Sequence, residues 1–516
     1  MRLEQLANGV VASIAEEGDV AVGNAGFVDL GGETVVFDTH VSLTAGRALR
    51  EAAEAHAPAR TVVLSHWHGD HVYGAGAFDA HVVATRRTSQ LMRERTEARL
   101  AEMKAKPLEE FEGTAFAEIA QTELPNLELS HPVEKFDHDR DFSGATRRAQ
   151  ALTFGGGHTL SDAVLWLPKE RILFTADLVV DGHPWIGDGD PKAWPGILDR
   201  LAALRPETVV PGHGPVSGPE AIDFMRAYLD AFNKAKEDEP NPYPELPWPE
   251  MWERNLRQFG IVPPNLSGTP YRLLERTAEG EFGSWRAIDD SGKRYIVKNK
   301  WSQDGVAATE LLRAAGYPAP RYVLARPGLS VQEELPGETL PDWQPLADGI
   351  AGRAIELNEQ LPGKRVPNAP PWLERLRSEI LVGHYYVDLA YVHRHSPELL
   401  DRCRNALARA ERDLVDPGDL VHWDYTTSNI LAVDGEITAV VDWDGVCNGD
   451  RLFDLVTLWY YTRTPMLRDY VLARTSRTVH DAYLAAVVVR QVAYSLKFHD
   501  ASVAPGLIAD ALDVTA

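Results

Sequence analysis

The chain has 516 residues, with 76 acidic against 52 basic side chains and a formal net charge of −24. This length exceeds what one hydrophobic core usually supports, so two or three domains are expected. The 44% hydrophobic and 25% charged residues are those of an ordinary globular protein, and the negative charge argues against binding to nucleic acid or to anionic membranes.

Cysteine usage and the distribution of apolar residues exclude further classes. The two cysteines, Cys403 and Cys447, give no disulfide framework and no thiolate metal cluster, so a reducing cytoplasm is the expected compartment. The N-terminus carries Glu4, Glu16 and Asp19 without a sustained apolar core, so we expect no signal peptide. No apolar run approaches ~18 residues, so we expect no membrane span.

Short apolar strands separated by glycine turns are predicted at the start of the chain. Residues 10–14, 26–30 and 34–38 are the clearest, and residues 41–56 form a predicted helix. The next predicted strand, residues 61–64, is followed at once by Ser65-His66-Trp67-His68-Gly69-Asp70-His71. Four metal-capable side chains therefore lie on the loop at the carboxyl end of a buried strand. A histidine tag would be terminal and repetitive, and this segment is neither.

A charged insertion follows this cluster. Residues 85–106 are predicted to be helical up to Pro107, and residues 111–122 form a second helical piece. The insertion would be placed to cover a metal site, whereas the alternative is a plain pair of solvated helices.

Three further candidate ligands follow, each in a setting that suits a metal site. His158 lies after three glycines, which let the backbone come close to a metal centre. Asp177 ends the apolar run 172–176, and His213 follows the apolar run 208–210. Because ligands repeatedly follow short apolar strands, one edge of a sheet could present all seven side chains to a single point.

In these residues the sequence resembles the metallo-β-lactamase superfamily, whose pattern is His-x-His-x-Asp-His followed by His, Asp and His. The resemblance covers roughly the first half of the chain and implies an αββα sandwich with two metal ions. It assigns one metal to His66, His68 and His158, the second to Asp70, His71 and His213, and a bridging position to Asp177.

The resemblance also implies the chemistry of the first half. It makes Asp70 a catalytic residue as well as a ligand, and it implies two Zn²⁺ ions, with iron and manganese left open. Two cations about 3.5–4 Å apart activate a water and polarise a scissile carbonyl or phosphoryl group, so no protein nucleophile is needed. The dizinc β-lactam-cleaving branches lack the bridging aspartate, whereas glyoxalase II-like and lactonase-like branches have it. Asp177 therefore favours a thioester, lactone or other ester substrate.

A change of composition marks the predicted domain boundary. Residues 163–174 are predicted to form a hairpin, and residues 219–236 form a helix that closes the first domain. Five prolines then fall within residues 240–249, which predicts an extended, semi-rigid spacer. We place this segment with the first domain, at residues 1–262, and the second domain at residues 263–516.

The second half carries a different constellation. Asp424 and Asn429 lie five residues apart, and Asp434-Gly435 between two apolar runs predicts a hairpin turn. Closing the hairpin brings Asn429 close to Asp442, and two oxygen-bearing side chains can hold Mg²⁺. Asp424 lies just before them, where it can accept a proton from a substrate hydroxyl.

At these residues the sequence resembles the aminoglycoside phosphotransferase family, relatives of the choline kinases and protein kinases. His422-x-Asp424 with Asn429 matches the catalytic loop, and Asp442 matches the metal-binding aspartate. The resemblance extends from about residue 271 to the end of the chain and implies a bilobal fold that uses Mg²⁺ with ATP or GTP. Further matches are the phosphate-binding Lys298, its helix partner Glu310, the phosphate-covering loop with Gly280 and Gly283, the inter-lobe segment 332–337, and the structural motif 449–454.

Together these features predict a two-domain cytoplasmic enzyme of class α/β and α+β. The αββα domain would hydrolyse an ester-like bond, and the bilobal domain would phosphorylate a small-molecule hydroxyl, such as that of an antibiotic or another secondary metabolite. The alternatives are a metallohydrolase whose kinase-fold module only binds a ligand, and a scaffold whose domains merely bind ligands. The sequence leaves the substrates, the native metal and the oligomeric state open.

Overall fold

The computed structural model describes residues 1–16, 18–111, 116–236, 239–277, 283–367, 369–383, 387–498 and 504–515. The chain divides into two compact units, Met1–Leu256 and Arg257–Ala516. The boundary predicted between residues 262 and 263 stays a prediction. No helix in the described part of the chain is long and apolar enough to cross a membrane.

Two sheets form the centre of the first unit. Its strands are β1 (Arg2–Ala7), β2 (Val10–Ile14), β3 (Ala25–Asp29), β4 (Thr34–Phe37), β5 (Ala59–Val63), β6 (His81–Thr85), β7 (Glu134–Phe136), β8 (Arg140–Ser143), β9 (Arg148–Thr153), β10 (Ala163–Leu167), β11 (Ile172–Val180) and β12 (Thr208–His213). In the described residues the first sheet has the order β1-β2-β3-β4-β5-β6-β7 and the second β12-β11-β10-β9-β8. The first sheet is antiparallel up to β4 and parallel from β4 to β7.

Helices accompany these sheets. They are α1 (Leu43–Glu54), α2 (Gly69–Val72), α3 (Arg86–Leu91), α4 (Glu97–Ala105), α5 (Ala117–Thr122), α6 (Trp194–Ala203), α7 (Glu220–Phe232) and α8 (Glu250–Gln258). One π-helical stretch, Met92–Thr96, joins α3 to α4.

The sandwich follows from strands that are apolar on both faces. Every residue of β4, β10 and β11 is buried, as expected for strands covered on both sides. One core lies between the sheets, where the rings of Phe37 and Phe174 are 6.1 Å apart. On the outer face of the first sheet, Leu49 of α1 packs in a core with Phe27. The predicted αββα sandwich is confirmed.

The proline-rich segment differs from its prediction. The backbone N–H of His183 donates to the carbonyl of Pro247 (3.1 Å), and the ring of Tyr243 stacks on that of Tyr228 at 5.2 Å. The spacer prediction is wrong, because the aromatic side chains between the prolines pack on the first unit.

The second unit has a small sheet lobe and a larger helical lobe. Its strands are β13 (Arg272–Arg276), β14 (Ser284–Ile288), β15 (Arg294–Lys298), β16 (Tyr322–Arg326), β17 (Leu329–Glu333), β18 (Glu338–Thr339), β19 (Asp419–Val421), β20 (Ile430–Val433), β21 (Glu436–Val440) and β22 (Cys447–Gly449). Its helices are α9 (Gln303–Ala314), α10 (Asp348–Asn358), α11 (Trp372–Leu381), α12 (Leu389–His395), α13 (Pro397–Ala410), α14 (Leu452–Thr462), α15 (Pro465–Leu472), α16 (Arg477–Phe498) and α17 (Ala504–Val514).

Each lobe is built around its own apolar residues. The sheet β13-β14-β15-β17-β16 buries Val297 and Val331 in a small core. The helices bury a larger core that includes Trp372, Phe453 and Tyr483. The predicted bilobal architecture is confirmed.

Candidate functional site

The seven predicted ligands of the first unit come together. They lie on the loop after β5 and on α2 (His66, His68, Asp70, His71), on the loop between β9 and β10 (His158), in β11 (Asp177) and at the end of β12 (His213). β11 continues to Val180, past the predicted end of the strand. Ala176, which precedes Asp177, has a φ of 45°, and the pairing with β12 shifts register after it.

The ligand atoms form two groups. In the first group, the Nδ1 atom of His68 is 3.1 Å from His66 Nε2 and 3.0 Å from His158 Nε2. In the second group, Oδ2 of Asp70 is 3.3 Å from His213 Nε2 and 3.6 Å from His71 Nε2. Distances of this size leave the ligand atoms of each group within reach of one small cation.

Asp177 touches both groups. Its Oδ1 atom is 3.1 Å from His71 Nε2, and its Oδ2 atom is 3.3 Å from His158 Nε2 and 3.4 Å from His213 Nε2. The backbone at Gly212 approaches this carboxylate so closely that a Cβ atom there would lie 1.9 Å from Oδ1. Glycine is therefore required at position 212 for the observed placement of Asp177.

The protonation of His66, His158 and Asp177 suits metal ligands. Burial lowers the pKa of His66 well below its ordinary value and that of His158 to about 4, so both rings are neutral. Burial opposes ionisation of Asp177, but His71 and His213 lower its pKa well below the ordinary value. Neutral imidazoles and ionised carboxylates are the forms that bind metal.

Neighbouring carboxylates raise the pKa of His71 and of His213. Burial opposes protonation of His213, but Asp177 and Asp70 raise its pKa to about 10. The same carboxylates and Asp38 raise the pKa of His71 well above its ordinary value against the effect of burial. His71 Nε2 and Asp177 Oδ1 are buried and make no hydrogen bond to the described residues. These two atoms, facing each other across the cluster, fit a divalent cation better than a proton.

Asp38, which the sequence analysis did not select, orients two of the ligands. Its Oδ2 atom accepts hydrogen bonds from His71 Nδ1 (2.9 Å) and from Ser65 Oγ (2.7 Å). Ser65 Oγ in turn accepts from His66 Nδ1 (2.8 Å). These bonds keep the protons on Nδ1 and leave the Nε2 atoms of both rings for the metal.

Asp188 orients the ring of the ligand His68. Its Oδ2 atom accepts from His68 Nε2 (3.2 Å) and from Trp185 Nε1 (2.8 Å), and Arg95 Nη1 lies 2.9 Å from Oδ1. His68 therefore presents Nδ1 to the cluster. Asp188 lies in a loop that carries no sequence signal, whereas Asp38 directly follows β4, in the manner of the predicted ligands.

The charged insertion contacts the ligand loop. Thr96 Oγ1 donates to the carbonyl of Trp67 (2.7 Å), and the guanidinium of Arg95 lies 5.5 Å from the Trp67 ring. The π-helical stretch thus packs against the segment that carries His66 and His68. The second predicted helix, residues 111–122, is represented by α5, and residues 112–115 lie outside the described residues.

In the second unit, Lys298 and Asp442 form a direct ion pair. The Nζ atom of Lys298, at the end of β15, is 2.9 Å from Asp442 Oδ1 and 3.8 Å from Asp444 Oδ2. Burial favours the neutral amine, but these two carboxylates raise the pKa of Lys298 above its ordinary value. Asp442 has a φ of 61°, a left-handed conformation that turns the chain directly after β21.

Asp424 and Asn429 are held together by a hydrogen bond between their side chains. Asn429 Nδ2 donates to Oδ2 of Asp424 (2.9 Å), and Arg490 Nη2 is 3.8 Å from Oδ1. The side chain of Asp424 is half exposed and so remains open to a substrate.

The predicted Asp434-Gly435 hairpin is confirmed, because β20 pairs with β21 around this turn. The N–H of Val441, next to Asp442, donates to the carbonyl of Asn429 (2.9 Å). The hairpin therefore places the backbone of Asn429 beside the residue that precedes Asp442, as the sequence predicted.

Two kinase-related predictions are not met: the pairing of Glu310 with Lys298 needs correction, and Gly280 lies outside the described residues. Glu310 is exposed, and among the described residues no ion pair joins it to Lys298. The buried face of α9 is Gly305, Ala308, Thr309 and Leu312, and Glu310 lies on the exposed face. Gly283 is described, with a φ of 61°, whereas Gly280 lies outside the described residues.

Comparisons with known proteins find a matching family model within each unit. Residues 18–213 match the metallo-beta-lactamase superfamily, and residues 275–485 match the phosphotransferase enzyme family. The chain is 29% identical over 183 residues to "Metallo-beta-lactamase type 2" of Bacteroides fragilis, a match of 34% of this chain and 62% of the relative. The chain thus spans less than two thirds of that relative's length. It is 24% identical over 241 residues to "Beta-lactamase-like protein 2 homolog" of Drosophila melanogaster, a match that covers 46% of this chain and 71% of the relative.

Solved structures similar to this chain include metallo-beta-lactamases from Pontibacter korlensis and Hirschia baltica. The first is 23% identical with a TM-score of 0.35 and covers 44% of this chain and 98% of its own. The second is 18% identical with a TM-score of 0.35 and covers 44% of this chain and 97% of its own.

Proposed function

Because the chain joins a domain of the metallo-beta-lactamase superfamily to a domain of the phosphotransferase enzyme family, we propose that it is a bifunctional enzyme. The first unit hydrolyses an ester, thioester or lactone with two bound metal ions. The second unit transfers a phosphoryl group from a nucleoside triphosphate to a small-molecule hydroxyl.

The contact of Asp177 with both ligand groups carries the hydrolase proposal. When bound, a pair of divalent cations, with zinc as the first candidate and iron or manganese as alternatives, supplies an activated water and polarises the scissile bond. The bridging aspartate is the feature that, by resemblance, separates thioesterase-like and lactonase-like branches from the dizinc β-lactam-cleaving ones. It therefore supports an ester-like substrate rather than a β-lactam.

The residues of the chain bind and orient in this reaction. His66, His68 and His158 form one ligand group, and Asp70, His71 and His213 form the other. Asp38 and Asp188 hold the protons on the outward nitrogens of His71 and His68. The imidazole lone pairs are thus aimed before a metal arrives, which lowers the cost of assembling the site.

A panel of substrates tests this proposal. We expect the metal-loaded protein to hydrolyse a thioester or a lactone faster than a β-lactam, and Asp177→Asn to abolish that activity. Hydrolysis of β-lactams alone, or full activity in Asp177→Asn, would contradict the proposal.

The geometry around Asp424 supports the phosphotransferase proposal. Asn429 donates a hydrogen bond to Asp424, and its carbonyl accepts one from Val441, the residue before Asp442. Asp442 in turn pairs with Lys298. In phosphoryl transfer the protein mainly positions groups and stabilises charge. Asp424 would accept the proton of the acceptor hydroxyl, Lys298 would bind phosphate oxygens, and Asn429 and Asp442 would hold Mg²⁺.

Substitution of Asp424 should affect catalysis without affecting nucleotide binding. We expect Asp424→Ala to abolish phosphoryl transfer while Mg²⁺-ATP or Mg²⁺-GTP still stabilises the protein in a thermal-shift titration, whereas Asp442→Ala weakens that stabilisation. If neither nucleotide stabilises the wild type, the second unit is no nucleotide-dependent kinase. If nucleotide binds but no hydroxyl is phosphorylated, the ligand-binding alternative holds.

A further inference from the structure

The proline-rich segment is fixed beside the metal centre by a buried histidine. Nε2 of His183 donates to the carbonyl of Tyr243 (3.0 Å), and Nδ1 accepts from the hydroxyl of Tyr228 (2.7 Å). The backbone N–H of the same histidine donates to Pro247 (3.1 Å), as described above. These bonds fix the chain at Tyr243 and at Pro247, the residue immediately before Trp248.

Trp248 combines three features that packing alone does not explain. Its ring centroid is 6.2 Å from that of the predicted ligand His213, at an angle of 85°. Its side chain is 47% exposed, and its φ is 60°, in the left-handed region that a bulky residue avoids. Backbone strain of this kind clusters at functional sites.

The neighbouring backbone makes room for the indole. Gly182 has a φ of 132°, and a Cβ atom there would lie 3.0 Å from two carbons of the Trp248 ring and 3.2 Å from Pro247. The glycine and the anchored prolines together hold an indole at the metal centre with one half uncovered.

We propose that Trp248 contacts the substrate of the hydrolase and binds an apolar, preferably aromatic, group attached to the scissile ester, thioester or lactone. This inference rests on the proposed hydrolase function. An indole offers a large flat surface for dispersion and ring stacking at low entropic cost. A cationic group also binds indoles, but a divalent cation held by the ligand group of His213 would repel it. The apolar group is therefore the ligand that this position favours.

Binding of two simple acids tests the contact without any turnover. Phenylacetate and acetate share a carboxylate and differ in the aromatic ring, and titration calorimetry on the metal-loaded full chain compares them. We expect the wild type to bind phenylacetate more tightly and Trp248→Ala to lose about tenfold in affinity for phenylacetate alone. Trp248→Phe should keep most of the preference.

Trp343 provides a matched control in the second unit. Its side chain is 48% exposed and its φ is 59°, so Trp343→Ala removes an equally exposed and equally strained indole. We expect this variant to bind both acids like the wild type. Betaine, which carries a trimethylammonium group, serves as the cationic probe.

The outcomes separate this inference from the proposed function. Equal binding of the two acids by the wild type, binding of neither, or a loss in Trp248→Ala that affects only betaine would overturn the inference. The substrates are phenylacetyl and acetyl thioesters and esters, and lactones with and without a phenyl substituent. We expect Trp248→Ala to lower kcat/KM about tenfold only for the compounds that carry the phenyl group. If the acids bind as expected but no such compound is cleaved, the proposed function fails while the contact stands.

Discussion

At the residue scale, the metal centre depends on small groups that let ligands approach as much as on the ligands themselves. Asp177 reaches both ligand groups only because position 212 carries no side chain. Asp38, Ser65 and Asp188 fix the ring orientation of three histidines. The site is therefore organised by residues outside the predicted ligand set as well as by the ligands.

Gly212→Ala tests this steric requirement. The added methyl group would meet Asp177 Oδ1 at 1.9 Å, so we expect the variant to lose most of its bound metal. Gly196 lies in α6 with no atom within 4 Å of its added Cβ, and Gly196→Ala should keep the wild-type metal content. Elemental analysis of the three proteins makes the comparison. Equal metal content in Gly212→Ala and wild type would contradict the proposed position of Asp177.

The residues found from sequence and those missed differ in a physical way. The histidine cluster was visible because metal-capable side chains are rare at such density. Asp38 follows a strand as the predicted ligands do, but one aspartate after a strand is too common to stand out. Asp188 and Trp248 lie in irregular segments, and only tertiary packing brings them to the site.

At the element scale, patterns predicted which elements form better than which way their side chains face. The β20–β21 hairpin was predictable because Asp434-Gly435 suits the positive φ angles of its turn, which are 49° and 82°. The helix α9 was also expected, but which of its faces is buried was not predicted correctly. Glu310 follows the buried Thr309 by a single residue, and that rotation of about 100° moves it to the exposed face.

Variants of Lys298 and Glu310 therefore test which of the two residues contributes to nucleotide binding. Lys298→Met removes the ammonium group that faces Asp442, so we expect Mg²⁺-nucleotide binding to weaken at least about tenfold. Glu310→Gln changes an exposed side chain with no ion pair to Lys298 in the described structure, so binding should stay within about twofold. Calorimetric titration with Mg²⁺-ATP compares them. A large loss in Glu310→Gln would restore the originally predicted pairing.

At the scale of the whole molecule, each unit has its own core and its own candidate site. Their presence on one chain suggests the hypothesis that they act on one molecule or on successive forms of it. Hydrolysis of an ester or a lactone releases a hydroxyl, and a hydroxyl is what the phosphotransferase needs. Tethering raises the local concentration of one site's product at the other to roughly millimolar where geometry allows. The alternative is a gene fusion that only fixes co-expression.

Full-length variants distinguish these alternatives. Asp177→Asn should disable hydrolysis alone, and Asp424→Asn phosphoryl transfer alone. We expect wild type, given an ester or lactone with Mg²⁺ and ATP, to form the phosphorylated product sooner than an equimolar mixture of the two variants. Identical time courses would favour simple co-expression. If no preparation phosphorylates the hydrolysis product, the shared-substrate hypothesis is wrong.

Elemental analysis of the purified protein tests whether the seven side chains of the first unit form a two-metal centre. After growth with zinc, manganese and iron, we predict about two metal ions per chain, one for each ligand group. Because His213 belongs to the second group alone, His213→Ala should retain about one. A wild-type protein with a metal content near zero under these conditions would contradict the account.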